Sequence, residues 1–143
     1  MPSNWPLPLL VSLSAVRGFV RVCWLKAIAG AWCTSYRMHE QIKLCCVLGC
    51  VDQEDKFQHY LICPALWHIA ADLLKIPAPI GVGDRLCLTS ANPDNLKLLA
   101  VVHGIYHSCK NDSICLSLNG CALSRHIIHS RAAGFAKAFT HFV

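Results

Sequence analysis

Leu9, Leu13, Val16, Val20, Cys23, Ala27 and Ala31 recur every three or four residues, the spacing of an apolar stripe along a helix, while Arg17 and Arg21 fall off it. The pattern predicts helix over residues 9–31, with Gly18 and Gly30 as the places for a kink, and a stripe that packs on the chain's own core. Residues 33–44 lose this periodicity and lead into a run dense in cysteine. After Cys63, Pro64 suits the first turn of a helix, where its missing N–H has no partner to lose. Leu66, Ile69, Ala70, Leu73 and Leu74 give that helix a buried face, and it should end before Pro77. Pro77, Pro79, Gly81, Gly83 and Pro93 mark residues 76–93 as loop.

Asn92, Pro93 and Asp94 read as an N-cap, a first-turn proline and an acid that complements the helix dipole. They open a helix to about residue 109 with Leu96, Leu99, Val102 and Tyr106 inward. A turn is expected at residues 110–113, and residues 113–121 fit either a short strand or a helix start. Residues 122–142 predict a last helix with Ile128, Ala132, Phe135, Phe139 and Phe142 along one stripe.

The 143 residues match one ordinary domain in size, so one main core is expected. Hydrophobic residues make up 55% of the chain, mean hydropathy is +0.43, and charged residues reach only 15%. Disorder is therefore not expected, and a tendency to self-associate through apolar helices is. No run of some 18 apolar residues appears. The best stretch, residues 7–25, holds Arg17 and Arg21, each costing about 2.5–3.5 kcal/mol near a bilayer centre, so no membrane span is expected. Residues 1–8 lack a basic n-region, and the chain reads as intracellular, nuclear or cytoplasmic.

Net charge is +5, with five basic and one acidic side chain in residues 1–44, three and six in 45–94, and five and one in 95–143. Two basic flanks around an acidic middle suit contact with a polyanion or a merely solvated surface. Ten cysteines without an export signal point to free thiols or metal ligands rather than to a disulfide framework.

Cys46, Cys50, His59 and Cys63 have a spacing that tetrahedral zinc can use, because each close pair can reach one ion across a tight turn. Gly49 permits such a turn. Three thiolates against a dication leave a charge of about −1, tolerable beside Arg37, Lys43 and Lys56. Cys45 is an alternative to Cys46 as first ligand, and in a chain so rich in cysteine and histidine the spacing can also arise by chance. Cys23, Cys33, Cys87, Cys109, Cys115 and Cys121 read as small buried hydrophobes. His103 and His107 lie four apart on a helix, but Gly104 stands where a metalloprotease has glutamate, so they read as packing or surface residues. No nucleophile signature, Gly-rich phosphate loop or polymerase-type aspartate pair appears, and no catalytic activity is expected.

The stretches Trp32-Cys33-Thr34-Ser35-Tyr36-Arg37-Met38-His39-Glu40, Cys46-Val47-Leu48-Gly49-Cys50 and His59-Tyr60-Leu61-Ile62-Cys63-Pro64-Ala65-Leu66-Trp67 together resemble the zinc-knuckle region that follows the polymerase in non-LTR retrotransposon reverse transcriptases. The resemblance implies that Cys46, Cys50, His59 and Cys63 ligate zinc, and that the element contacts RNA or DNA. The polymerase and endonuclease motifs themselves are missing, and the three-residue gap from His59 to Cys63 is one shorter than is common in knuckles.

The expected fold is thus mostly α: a helical domain with a small irregular zinc-knuckle insertion. Residues 1–44 and 68–143 supply the helical segments and 45–67 the knuckle, together in one compact domain. The expected function is non-catalytic zinc and nucleic-acid binding, with phosphates held by Arg17, Arg21, Arg37, Lys43, Arg125 and Arg131. Trp32, Tyr36, Tyr60 and Trp67 would stack on bases or form the knuckle's own core. The alternatives are a zinc-stabilised protein-interaction module and an inert retroelement fragment.

Overall fold

A computed structural model describes residues 7–90, 92–117, 125–139, 141 and 143; the side chains of residues 7, 112–117 and 125–128 lie outside the description. The chain is mostly α: α1 (Leu7–Ser14), α2 (Gly18–Ile28), α3 (Phe57–Ile62), α4 (Pro64–Leu74), α5 (Val82–Arg85), α6 (Pro93–Ser117) and α7 (Arg125–Phe139). No strand forms among the described residues, and one isolated antiparallel bridge joins Cys45 to Glu54.

The stripe expected over residues 9–31 exists, with Leu9, Leu13, Val16, Val20, Cys23 and Ala27 buried, but it spans two helices. The chain breaks before Gly18, where Arg17 turns extended. The Arg21 guanidinium donates to the Val16 carbonyl at 3.0 and 3.1 Å, occupying an acceptor that the break leaves open. Gly30 then ends α2 in the left-handed region, with the Ala31 N–H reaching back to the Lys26 carbonyl at 2.7 Å.

α4 stops as expected before Pro77, with Lys75 left-handed and the Ile76 N–H on the Ala71 carbonyl. The loop expected over residues 76–93 is broken by the single turn of α5. Asn92 caps α6, its side-chain oxygen accepting the Asp94 N–H at 2.9 Å.

α6 lies at the centre, packed against α1, α2, α4, α5 and α7. A helix surrounded on all sides must be apolar all round. Leu96, Leu98, Leu99, Ala100, Val101, Val102, Ile105 and Tyr106 are accordingly all fully buried. Gly104 lets α7 approach, since a Cβ there would meet the Phe139 ring at 2.7 Å. α6 runs to Ser117, so the turn expected at residues 110–113 does not form. A polar run beyond a completed apolar stripe resembles a turn, but Lys110 is drawn inside and the helix continues. Residues 113–117 are helical, which excludes a strand there, and 118–121 lie outside the described residues, as do Cys115 and Cys121. The same holds for residues 122–124, Phe142 and the Ile128 side chain of the last expected stripe, of which Ala132 is fully buried and Phe135 and Phe139 partly buried.

What draws Lys110 inside is Asp55, which is wholly buried. Its carboxylate accepts the Ser35 N–H at 2.6 Å, the Tyr60 hydroxyl at 2.8 Å, the Tyr106 hydroxyl at 3.0 Å and the Lys110 ammonium at 2.6 Å. Burial raises the pKa of this carboxyl, but the hydrogen bonds and the Lys110 charge outweigh it and hold Asp55 below its ordinary 3.8. The stabilisation it supplies is therefore complete above that pH and is lost as pH falls below it. Trp32 stacks on Tyr106 with ring centres 4.9 Å apart and on Tyr60 at 6.2 Å, roofing the network with apolar area.

Lys110→Met is expected to lower stability at neutral pH by about 3–5 kcal/mol, because a buried carboxylate loses its cation. Urea unfolding measures this, and a loss below about 1 kcal/mol would show that Asp55 does not depend on Lys110.

Candidate metal centre

Residues 44–55 fold back on themselves beside the Asp55 network. The Cys46 N–H donates to the Gln53 carbonyl at 2.7 Å and the Asp55 N–H to the Leu44 carbonyl at 2.9 Å. Between them the Gly49 N–H reaches the Cys46 carbonyl at 2.9 Å, with Gly49 at φ 74. That left-handed residue closes a turn a side chain would strain, and it brings Cys50 back toward Cys46. The second half comes from α3 and its end: His59 projects from α3, and Cys63 occupies the junction with α4 ahead of Pro64.

These halves bring four side chains together. One donor atom each from Cys46, Cys50, His59 and Cys63 lies within 4.8 Å of the others, a cluster able to hold a metal ion. The Cys50 and Cys63 sulfurs are 3.6 Å apart, too far for a disulfide and close to the roughly 3.8 Å that tetrahedral Zn–S bonds of 2.3 Å impose. Cys46, His59 and Cys63 are buried and Cys50 is half-buried. His59 Nε2 is buried without a hydrogen-bond partner among the described residues, as are His103 Nε2 and His107 Nε2.

The electrostatics favour a ligand role. A hydrogen bond from Cys63, opposed by burial and aided by the Cys50 and Leu48 amides, pulls the Cys46 thiol down to about 5. Cys63 moves the other way: it donates to Cys46, and burial adds to the rise. The cluster thus favours the thiolate at Cys46, and a metal ion would displace the remaining protons. The cation in electrostatic reach of Cys63 is Arg85, which the sequence reading missed. Its guanidinium sits 4.7 Å from the Trp67 ring centre and donates to the Leu61 carbonyl at 2.6 Å and the Pro79 carbonyl at 2.7 Å. Nothing in the sequence separates Arg85 from a solvated loop arginine, because its partners are carbonyls of distant segments.

The centre is tied to the Asp55 network through Tyr60. The Tyr60 hydroxyl accepts the Val47 N–H at 3.1 Å while donating to Asp55, so one phenol fixes the residue after Cys46 and its own neighbour His59. Asp55, Tyr106 and Lys110 were also missed as supports. Asp55 stands in sequence beside Asp52 and Glu54, and pattern alone cannot tell which of the three turns inward.

Cys45 is exposed and pairs its backbone with Glu54, and it is Cys46 that joins the cluster. Cys23, Cys87 and Cys109 are buried as expected, whereas Cys33 is exposed because Trp32, one residue earlier, takes the core position. His103 and His107 pack against Trp32 at 5.4 and 6.0 Å between ring centres.

No family model, curated protein or solved structure matches this chain. Its chemistry is therefore read from its own residues.

The basic residues separate into different settings. Arg17 donates to the His141 carbonyl and Arg21 to Val16, at the α1–α2 break. Arg37 and Lys43 are exposed in the loop before the cluster, where Lys43 donates to the Ser35 carbonyl at 3.2 Å. Arg131 is exposed on α7, and the Arg125 side chain lies outside the described residues. Of the aromatics, Trp32, Tyr60 and Trp67 are fully buried and belong to the core, which removes them as base-stacking groups. Tyr36 is exposed, with Lys56 Nζ 4.1 Å and Lys43 Nζ 5.3 Å from its ring centre.

Cys46→Ser is expected to weaken zinc binding by more than the 10–100-fold typical of lost outer-shell partners, while Cys45→Ser leaves it unchanged. Competition against a chromophoric chelator reads both, and equal losses would return Cys45 to the ligand set.

Proposed function

We propose that this chain is a non-catalytic zinc module that uses its metal centre to present a basic, aromatic surface to single-stranded nucleic acid. The observation that carries the reading is the convergence of three cysteines and one histidine within 4.8 Å. Thiolate and imidazole in this ratio suit zinc, and four protein ligands match closed structural sites, whereas catalytic zinc keeps a position open for water or substrate. The role assigned to the ion is therefore to hold residues 44–63 in shape, supplying folding energy on the order of 10 kcal/mol in comparable small elements.

Tyr36, Arg37, Lys43 and Lys56 form the surface assigned to nucleic acid. They flank the cluster on the loop ahead of it and at the start of α3, and the exposed Tyr36 is the one aromatic of the expected four left with ring area at the surface. Ammonium groups beside an exposed phenol suit phosphate contact with base stacking, a combination that binds single strands with little sequence preference. The resemblance to the region following the polymerase in non-LTR reverse transcriptases supports the same reading and suggests that origin.

Native mass spectrometry is expected to find one zinc per wild-type chain and none in a Cys50→Ser, His59→Ala double variant; no metal in either would overturn the proposal. Fluorescence titration with single-stranded RNA is expected to show affinity falling with salt, by about 0.7 in log–log slope per phosphate contacted. Lys43→Ala with Lys56→Ala should reduce that slope without altering zinc content. Binding indifferent to salt would remove the nucleic-acid role and leave the zinc module.

A further inference from the structure

Among the described residues, the outer face of α2 and a cavity beside the cysteine–histidine cluster are open apolar surfaces with opposite charge at their edges. The first is the outer face of α2. At about 100° per residue, Leu25, Gly18, Ala29 and Val22 fall in one arc, with Arg21 on one border and Lys26 on the other. Val22 is 49% and Leu25 46% exposed, while Val20, Cys23, Trp24 and Ala27 face the core. No acidic residue occurs between Leu7 and His39, so this convex strip is purely basic at its edges.

The second surface is concave. A cavity of about 520 Å³ opens beside the metal centre, walled by Leu48, Cys50, Val51, Ile62 and Pro64, with His129 of α7 at its edge. Val51 is 69% and Ile62 55% exposed. An adjoining depression shares Gln53, His59 and Ile62 and is rimmed by Asp52 and Glu54, with Lys56 paired to Glu54. Asp52 thus gives this rim a net negative charge, in the one third of the chain where acids outnumber bases.

We propose that the α2 strip of one copy docks into the Val51–Ile62 cavity of a second copy, a head-to-tail self-association. The strip offers Leu25 and Val22 as the side chains that enter, and small Gly18 and Ala29 at its two ends let the cavity walls approach the helix axis. Arg21 and Lys26 then meet the net negative charge that Asp52 gives the adjoining depression, an attraction of opposite charges that fixes orientation. Two α2 strips meeting about a twofold axis would instead set Arg21 and Lys26 against the same two cations, with no acid in residues 7–39 to offset them. Apolar area buried in both partners supplies the attraction. Because Cys50 and His59 wall the cavity, the docking rests on the folded metal centre, and zinc content measured in parallel separates its loss from loss of docking.

Sedimentation velocity of the zinc-loaded chain over a concentration series tests this. Wild type is expected to associate with increasing concentration. Leu25→Asp and Ile62→Asp, both at exposed positions, should each keep zinc and weaken association at least about tenfold. The two variants mixed should recover a one-to-one pair, the intact cavity of Leu25→Asp receiving the intact strip of Ile62→Asp, and growth should stop there. A wild type that stays monomeric overturns the proposal, as does a mixture that fails to pair. Loss with Leu25→Asp but not with Ile62→Asp would overturn it in favour of strip-to-strip dimers. Binding of Leu25→Asp-sensitive protein to anionic vesicles without self-association would assign the strip to a lipid surface instead.

Discussion

A carboxylate with no exposed surface, Asp55, is the constraint on which the rest of this structure depends. An ionised group of that kind is tolerated only when its charge is paired and its lone pairs are filled. Meeting both demands takes donors from three separate parts of the chain: Ser35 in the loop after α2, Tyr60 on α3, and Tyr106 with Lys110 on α6. Each of those segments is thereby held in one register relative to the others. Lys110 is further shared with Glu40 at 3.4 Å, which ties the loop to α6 a second time. Buried ion pairs of this kind specify geometry more than they add stability, and an apolar replacement of the whole set is often neutral in other proteins. Here the geometry they specify is the ground on which the metal centre stands.

The centre inherits its shape from that network at one atom. The Tyr60 oxygen joins Asp55 to the Val47 amide, so the turn carrying Cys46 and Cys50 and the helix carrying His59 share a single anchor. Burial and the neighbouring Asp55 carboxylate drive the Tyr60 phenol far above its ordinary pKa, so it stays a hydrogen-bond donor at every physiological pH.

Helical packing divides the basic residues between internal and surface roles. Arg21 serves the exposed end of α1 and Arg85 holds Leu61 and Pro79 across the face of Trp67, so neither is only a solvated charge. Such side chains contribute through their stems and planes as well as their charge. The loop before the cluster keeps its cations at the surface, beside the exposed Tyr36 ring. No helix among the described residues is long and apolar enough to cross a membrane, and many of the buried apolar side chains lie in the helices packed around α6.

Short-range chemistry was legible in the amino-acid sequence. Helical periodicity located most helices, Asn92 and Pro93 marked the start of α6, Gly18 marked a place for a kink where the chain does break, and the cysteine and histidine spacing named the four residues that converge. Each of those signals acts between residues within a turn or two of one another, where the covalent chain fixes the geometry. The continuation of α6 past Lys110, the burial of Asp55 rather than Asp52 or Glu54, and the placing of Arg85 on the Leu61 carbonyl were decided only in three dimensions. Those outcomes depend on partners 20 to 70 residues away, as Asp55 does on Ser35 and Lys110, and Lys110 on Glu40. A polar side chain looks the same in sequence whether it meets water or a buried partner, so only the packed structure chooses which acid carries the fold.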